Sequence, residues 1–396
     1  MSRMARIAVL LLAALALGWA GWRILSLQIA DQRVHADPEA ALRWRPDHPA
    51  ALLARVRAGS DPEASATLQH LLQREPLQGE AWQLLAAIQE AAGDKQEARR
   101  LYQQAVDVAP RTYAARNWLA REDLLAGDYP AGLQHVDAML RLASALGPQL
   151  HELLVHMSAD PAFREALVPL LASSPPWRTP YLRRLQTQGE SAVADVVLGQ
   201  MHADGQLEAA EFDAWIESLL RRGDWPQAYA RWAGTLPDGA LLTPVFNGGF
   251  TQRPSGKGFD WRVRPVAGVS IEFIADSGAR LDFHGRRIAD TGLSQALLLA
   301  PGTQQLEVKM RTEGLRAQQG LQWVLECATN RRILGQGQPW RTTHGPIDER
   351  IVFQVPADCP GQWLRLRNAA RAAPLQTLSG RLWIEQVAAT TLDGPG

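Results

Sequence analysis

The sequence predicts a multidomain protein with an N-terminal transmembrane helix, an all-α array of helical repeats and an all-β sandwich. Three observations predict it. Residues 7–29 form a largely apolar run whose only charged residue is Arg23. Gly59-Ser60, Gly93-Asp94 and Gly127-Asp128 recur at intervals of 34 residues. Beyond residue 240 the apolar pattern changes period from about 3.6 to about 2 residues. The composition agrees with such a chain: of 396 residues, 46% are apolar, enough to bury several cores. The 41 basic and 41 acidic residues balance, which argues against a nucleic-acid binder, since phosphates demand a basic excess. Two cysteines exclude a disulfide-rich mini-fold and most zinc or iron–sulfur frameworks.

The N-terminal run is the first element. A helix over Ile7–Ile29 would be about 34 Å long at about 1.5 Å per residue, against a bilayer core of about 30 Å. Trp19 and Trp22 suit the interfacial belt, and Arg23 can snorkel to the headgroups. Arg3 and Arg6 stay on the cytoplasmic side, so the body lies outside. A cleaved signal peptide is the competing reading, with Ala14-Leu15-Ala16 or Gly18-Trp19-Ala20 as the processing site. Both readings export the body.

The repeats come next, over residues 31–146. Five residues after each glycine stands a small residue: Ala64, Ala98, Gly132. Leu68, Tyr102 and Val136 then share one register, and Leu71, Ala105 and Met139 the next. Pro76 and Pro110 close two units. Small residues let antiparallel helices approach, larger ones fill the space between, and glycine and proline end the helices. The middle unit carries Trp82, Leu85, Ala86, Gly93-Asp94, Ala98, Tyr102, Ala105 and Pro110. It resembles the tetratricopeptide repeat family, with Ala86 for the usual glycine and Gln89 for the usual aromatic. The resemblance implies stacked helical hairpins that bind protein partners. In that register Gln83, Glu90, Asn117 and Arg121 line the concave groove. The lysine and asparagine set of the family's peptide-carboxylate clamp is missing.

Residues 147–240 read as degenerate helical hairpins. Apolar periodicity persists over Leu150–His156, Ala162–Leu171, Tyr181–Leu185, Ala192–Met201 and Phe212–Leu220. Ser173-Ser174-Pro175-Pro176 is a break, and Gly223-Asp224 looks like another repeat turn.

Residues 241–396 read as the sandwich. Ile271, Phe273 and Ala275; Leu281 and Phe283; Leu306, Val308 and Met310; Ile351, Phe353 and Val355; Leu364 and Leu366; and Leu382 and Ile384 each alternate with neighbours of the opposite face. Glycine and proline punctuate these runs. Phe246-Asn247-Gly248-Gly249-Phe250 and Gly258-Phe259-Asp260-Trp261 open the segment, and Gly380–Val387 closes it. These motifs resemble carbohydrate-binding-module-like jelly rolls. The order of anchor, repeats and jelly roll resembles proteins of bacterial envelope-polysaccharide gene clusters. That resemblance implies a single-pass inner-membrane protein with its body in the periplasm. In that oxidising compartment Cys327 and Cys359 would pair, for about 3–4 kcal/mol in the chain-entropy account. The alternative is two buried thiols.

No constellation of catalytic residues emerges. His151 and His156 are five apart, and on a helix positions i and i+5 diverge too far to share a zinc ion. Asp282 and His284 alternate on one strand face but form only a bare dyad. No phosphate-binding loop, dinucleotide motif or nucleophile elbow is present, and no cofactor or metal is implied. If Leu364, Leu366, Leu382 and Ile384 point inward, Trp363, Arg365, Arg367, Trp383 and Glu385 point outward. Exposed tryptophan flanked by arginine and glutamate suits a glycan platform, and Trp340 and Trp261 are further candidates. The alternative is that helices cover these tryptophans. The expected role is a non-catalytic envelope scaffold for polysaccharide assembly or export, with a glycan as candidate ligand of the jelly roll. The other reading is a secreted glycan-binding protein released by signal cleavage.

Overall fold

The computed structural model describes residues 3–34, 36–274 and 277–392, with side chains from Leu12 onward. Ala275 therefore lies outside the described residues, as do the side chains of Arg3, Arg6 and residues 7–11. The chain divides into two compact units, Met1–Met201 and His202–Gly396.

The first unit is helical. Helix α1 runs unbroken over Arg3–Arg33. Its Leu12–Arg33 part has a mean hydropathy of 1.3 and is long and apolar enough to cross a membrane. Its last turns do not stay free: Ala30 and Val34 pack with Ala41, Leu42, Ala51 and Leu52. These belong to α2 (Pro38–Trp44) and α3 (Pro49–Arg57). Asp31 also meets His48 at 2.8 Å.

Antiparallel hairpins follow: α4 (Ala64–Arg74), α5 (Gly79–Ala91), α6 (Lys95–Val108), α7 (Tyr113–Ala126) and α8 (Tyr129–Leu142). The three turn glycines adopt the left-handed conformation, with φ of 69°, 86° and 77° at Gly59, Gly93 and Gly127. Asp94 and Asp128 then cap the next helix, accepting from the backbone N–H of Glu97 and Ala131. Leu68, Tyr102, Val136, Leu71, Ala105 and Met139 are all buried. Gly132 must be small because a Cβ there would lie 2.7 Å from Leu124. Looser hairpins continue with α9 (Gly147–Met157), α10 (Pro161–Ala172), α11 (Arg178–Gln188) and α12 (Ser191–Ala203). The Ser173–Pro176 break separates α10 from α11.

The second unit begins with the hairpin α13 (Ala209–Arg222) and α14 (Trp225–Ala233), turned by Gly223 at φ 93°. Two five-stranded antiparallel sheets follow. One has the order β1 (Arg262–Val263), β4 (Asp290–Leu297), β9 (Gln362–Asn368), β6 (Leu321–Cys327), β7 (Ile333–Gln336). The other has β2 (Val269–Ile274), β3 (Gly278–Arg287), β10 (Thr377–Thr391), β5 (Gly302–Ala317), β8 (Ile347–Val355). The predicted inward residues of both sheets, from Leu281 to Ile384, share one core with Trp261 and Trp323. The opening and closing motifs meet: the N–H of Val387 donates to Gly248 O at 2.8 Å. A Cβ on Gly248 would lie 2.0 Å from Val387 O, so only glycine allows that approach. Cys327 and Cys359 form a disulfide, with Cα atoms 5.7 Å apart.

Candidate functional site

The strand topology decides what the outward-facing residues can build. Trp363, Arg365 and Arg367 lie on β9, whereas Trp383 and Glu385 lie on β10 of the other sheet. Because Leu364, Leu366, Leu382 and Ile384 all point into the shared core, these two sets face opposite sides of the sandwich. The single platform expected from the sequence is therefore two separate surfaces.

On the β9 side, helix α14 covers the tryptophan. The rings of Trp225 and Trp363 meet edge to face at 5.6 Å. Trp225, Tyr229 and Trp232 continue the contact onto Phe259 and Phe246. Arg262 lies 4.8 Å over the Trp363 ring and is held by Glu217 of α13 at 2.7 Å. Arg367 bonds Asp290 at 3.2 Å and also Glu326, and Arg365 lies 3.5 Å from Glu326. The guanidinium groups expected to meet hydroxyls are thus engaged by carboxylates of their own sheet. Burial drives the Arg365 pKa down, and Arg367 beside it acts the same way.

The β10 side lacks the α14 ring contact, although its arginines are likewise paired with carboxylates. One cross-strand row reads Glu272, Arg280, Trp383, Arg311 over β2, β3, β10 and β5. Arg280 and Arg311 stand over the partly buried indole at 5.6 and 4.3 Å, and Glu385 lies 3.7 Å from Arg311. A parallel row carries Asp282 and Arg381, 2.8 Å apart. Asp282 also accepts from Arg280, while His284 turns to Ser270, so the Asp282–His284 dyad does not form. Glu272 also borders a depression of about 710 Å³ lined by Phe250, Arg253, Ile271 and Phe273. Sequence reading missed this depression. Its residues are distant along the chain, and Phe250 read only as a motif position.

Trp340 and Trp261 have structural roles. Trp261 is fully buried in the core. Trp340 pairs through its backbone with Leu321 and donates its indole N–H to Glu349 at 3.3 Å.

In the helical unit, Gln83 and Glu90 lie on α5, and Asn117 and Arg121 on α7. Arg121 and Glu90 form an ion pair at 3.0 Å that joins the two hairpins. Burial raises the Glu90 carboxyl pKa, but Trp118, Arg121 and Tyr102 facing it outweigh that and hold it below the ordinary value. Tyr102, buried and donating to this carboxylate, is pushed up to about 12. Asn117 and Arg121 border an apolar pocket of about 290 Å³ that includes Val136, Met139 and Leu153. His151 is buried and His156 exposed, so they do not converge. Among the described residues no group of three or more His, Cys, Asp or Glu side chains is placed to hold a metal ion.

No protein-family model matches the chain. Over 227 residues it is 29% identical to cellulose synthase 2 operon protein C of Komagataeibacter xylinus. The match takes in 52% of this chain and 17% of that protein, so the chain spans about a sixth of that relative. Among solved structures, a CBM4 protein overlaps 37% of this chain and 98% of its own, with TM-score 0.29 and 13% identity. MamA overlaps 46% of this chain and 96% of its own, with TM-score 0.26 and 13% identity. The layout itself is read from the helices and strands above: tetratricopeptide-like hairpins followed by a jelly-roll-like sandwich. The chain has this layout and is similar to a protein of a cellulose synthase operon.

Proposed function

We propose that the protein is a non-catalytic, inner-membrane-anchored scaffold of the bacterial envelope, with its body in the periplasm, serving polysaccharide assembly or export. The helical repeats, placed at 31–146 and 147–240, receive protein partners, and the sandwich from 241 onward receives glycan. Similarity to a cellulose synthase operon protein supports the polysaccharide setting. One observation carries the glycan reading: the row Glu272, Arg280, Trp383, Arg311 sets an aromatic ring among cations and carboxylates on the face that α14 leaves uncovered. Arg311 and Arg280 lie over the ring and pair with Glu385, Glu272 and Asp282. A sugar would therefore displace a guanidinium to stack its C–H groups on the indole, and would then take hydroxyl contacts from the freed donors and acceptors.

The test is calorimetric titration of the full chain with cellohexaose. Trp383→Ala is expected to weaken binding about tenfold or more. Trp363→Ala should lower thermal stability and leave the affinity intact. Equal affinity in wild type and Trp383→Ala would remove the row from the reading.

A further inference from the structure

A second cavity, in the helical unit, has no part in the glycan row or in the Asn117–Arg121 pocket. It measures about 480 Å³ and lies between the end of α8, the start of α9 and the first turns of α11. Its walls are apolar and stiff: Leu140, Pro148, Pro176, Pro180 and the ring of Trp177. That ring is locked by its N–H donating to Asp137 at 2.8 Å. Polar groups in this wall are left without partners. His151 is only 7% exposed, yet its Nε2 has no hydrogen-bond partner. Arg184 gives one nitrogen to Glu152 at 3.2 Å, but its buried Nε has none. Arg183 is exposed on the rim, with no carboxylate beside it among the described residues. A buried donor without an acceptor is unfavourable, so such a site favours a ligand that supplies one.

We infer that this cavity anchors an extended segment of a partner protein, with an acidic residue seated at Arg183, Arg184 and His151 and a neighbouring aliphatic or prolyl side chain against Trp177. The volume falls within the roughly 300–1,000 Å³ of ordinary ligand sites. A peptide is favoured over a small molecule by what lies next door. Across the same 140–147 wall sits a second depression of about 570 Å³ with Arg111, Tyr113 and Arg141. Two adjacent apolar hollows can take successive side chains of one extended segment, with Arg183 and Arg184 in one and Arg111 in the other, while Arg141 is paired with Asp137 at 2.8 Å.

The inference rests on the scaffold reading, and its test separates the two. The detergent-solubilised full chain is applied to an array of octapeptides in which every position is varied in turn. Aspartate or glutamate next to leucine, isoleucine or proline is expected to be selected. The dissociation constant of the best peptide is expected to rise about tenfold in His151→Phe and in Arg183→Gln, with helix content unchanged by circular dichroism. Arg183 is on the surface, so that variant keeps the test valid if His151→Phe unfolds. No retained peptide, no acidic preference, or unchanged affinity in Arg183→Gln overturns the proposal. So does displacement of the peptide by free glucuronate, which would make the site one for sugar acids. Loss of peptide binding in Arg121→Gln but not in Arg183→Gln overturns this pocket and leaves the scaffold reading standing.

Discussion

Glu349 points into the sandwich from the edge strand β8, where it accepts the backbone N–H of Gln338 at 2.6 Å and the Trp340 indole. Burial raises its pKa above the ordinary 4.5, although both hydrogen bonds pull the other way. The folded state therefore binds this proton more tightly than the unfolded chain, and stability falls as pH climbs from 4.5 toward the folded value. Glu349→Gln should flatten that part of the profile, read from thermal melts across the acidic range. The turn glycines allow a cleaner test of backbone. A Cβ on Gly93 meets no atom within 4 Å, so Gly93→Ala changes only the left-handed conformation. A loss of about 1–2 kcal/mol in chemical denaturation is expected. At this scale much could be read in advance, because spacing and small size identify turn glycines directly. Trp363 and Trp383 could not be told apart, since alternation assigns a residue to a face without saying what covers it.

Helix α14 is where sequence reading reached its limit among the elements. The period of two identified β2, β3, β5, β8, β9 and β10 because each shows one face to the core and one outward. Strand β4 gave no such signal. Nearly all its side chains are buried on both faces, including Thr291 and Gln295, which bonds the carbonyls of Phe246 and Phe259. The cause is the aromatic layer of Trp225, Tyr229, Trp232, Phe246 and Phe259 on that side. Packing there is tight, since a Cβ on Gly361 would lie 1.9 Å from the Trp225 ring. Trp225→Ala should lower stability by about 3–5 kcal/mol in denaturant titration. Gly361→Ala should perturb the same contact, with a matching change in near-ultraviolet circular dichroism.

Across the whole molecule, α13 and α14 group with the sheets, although their helical pattern reads as a continuation of the repeats. Fragment 202–396 should therefore fold with dispersed amide resonances. Fragment 241–396 lacks Trp225 and Trp232, and it should bind the dye ANS and aggregate. Opening the Cys327–Cys359 bridge should remove about 3–4 kcal/mol, measured as the shift between oxidised and reduced melts. The mass of the mature protein separates an anchor from a removed leader: loss of the first 16 or 20 residues would end the anchor reading.

The last turns of α1 are built into the first hairpin through Ala30, Val34 and the Asp31–His48 contact, and Trp22 lies 6.1 Å from Trp44. If α1 anchors the protein as proposed, these contacts leave little slack at the lipid boundary. A change in the inclination of the rod would then be passed to the first hairpin, and bilayer thickness would steer where the repeats point. Three glycines inserted after Gln28 would act as a universal joint and free the repeats from that control.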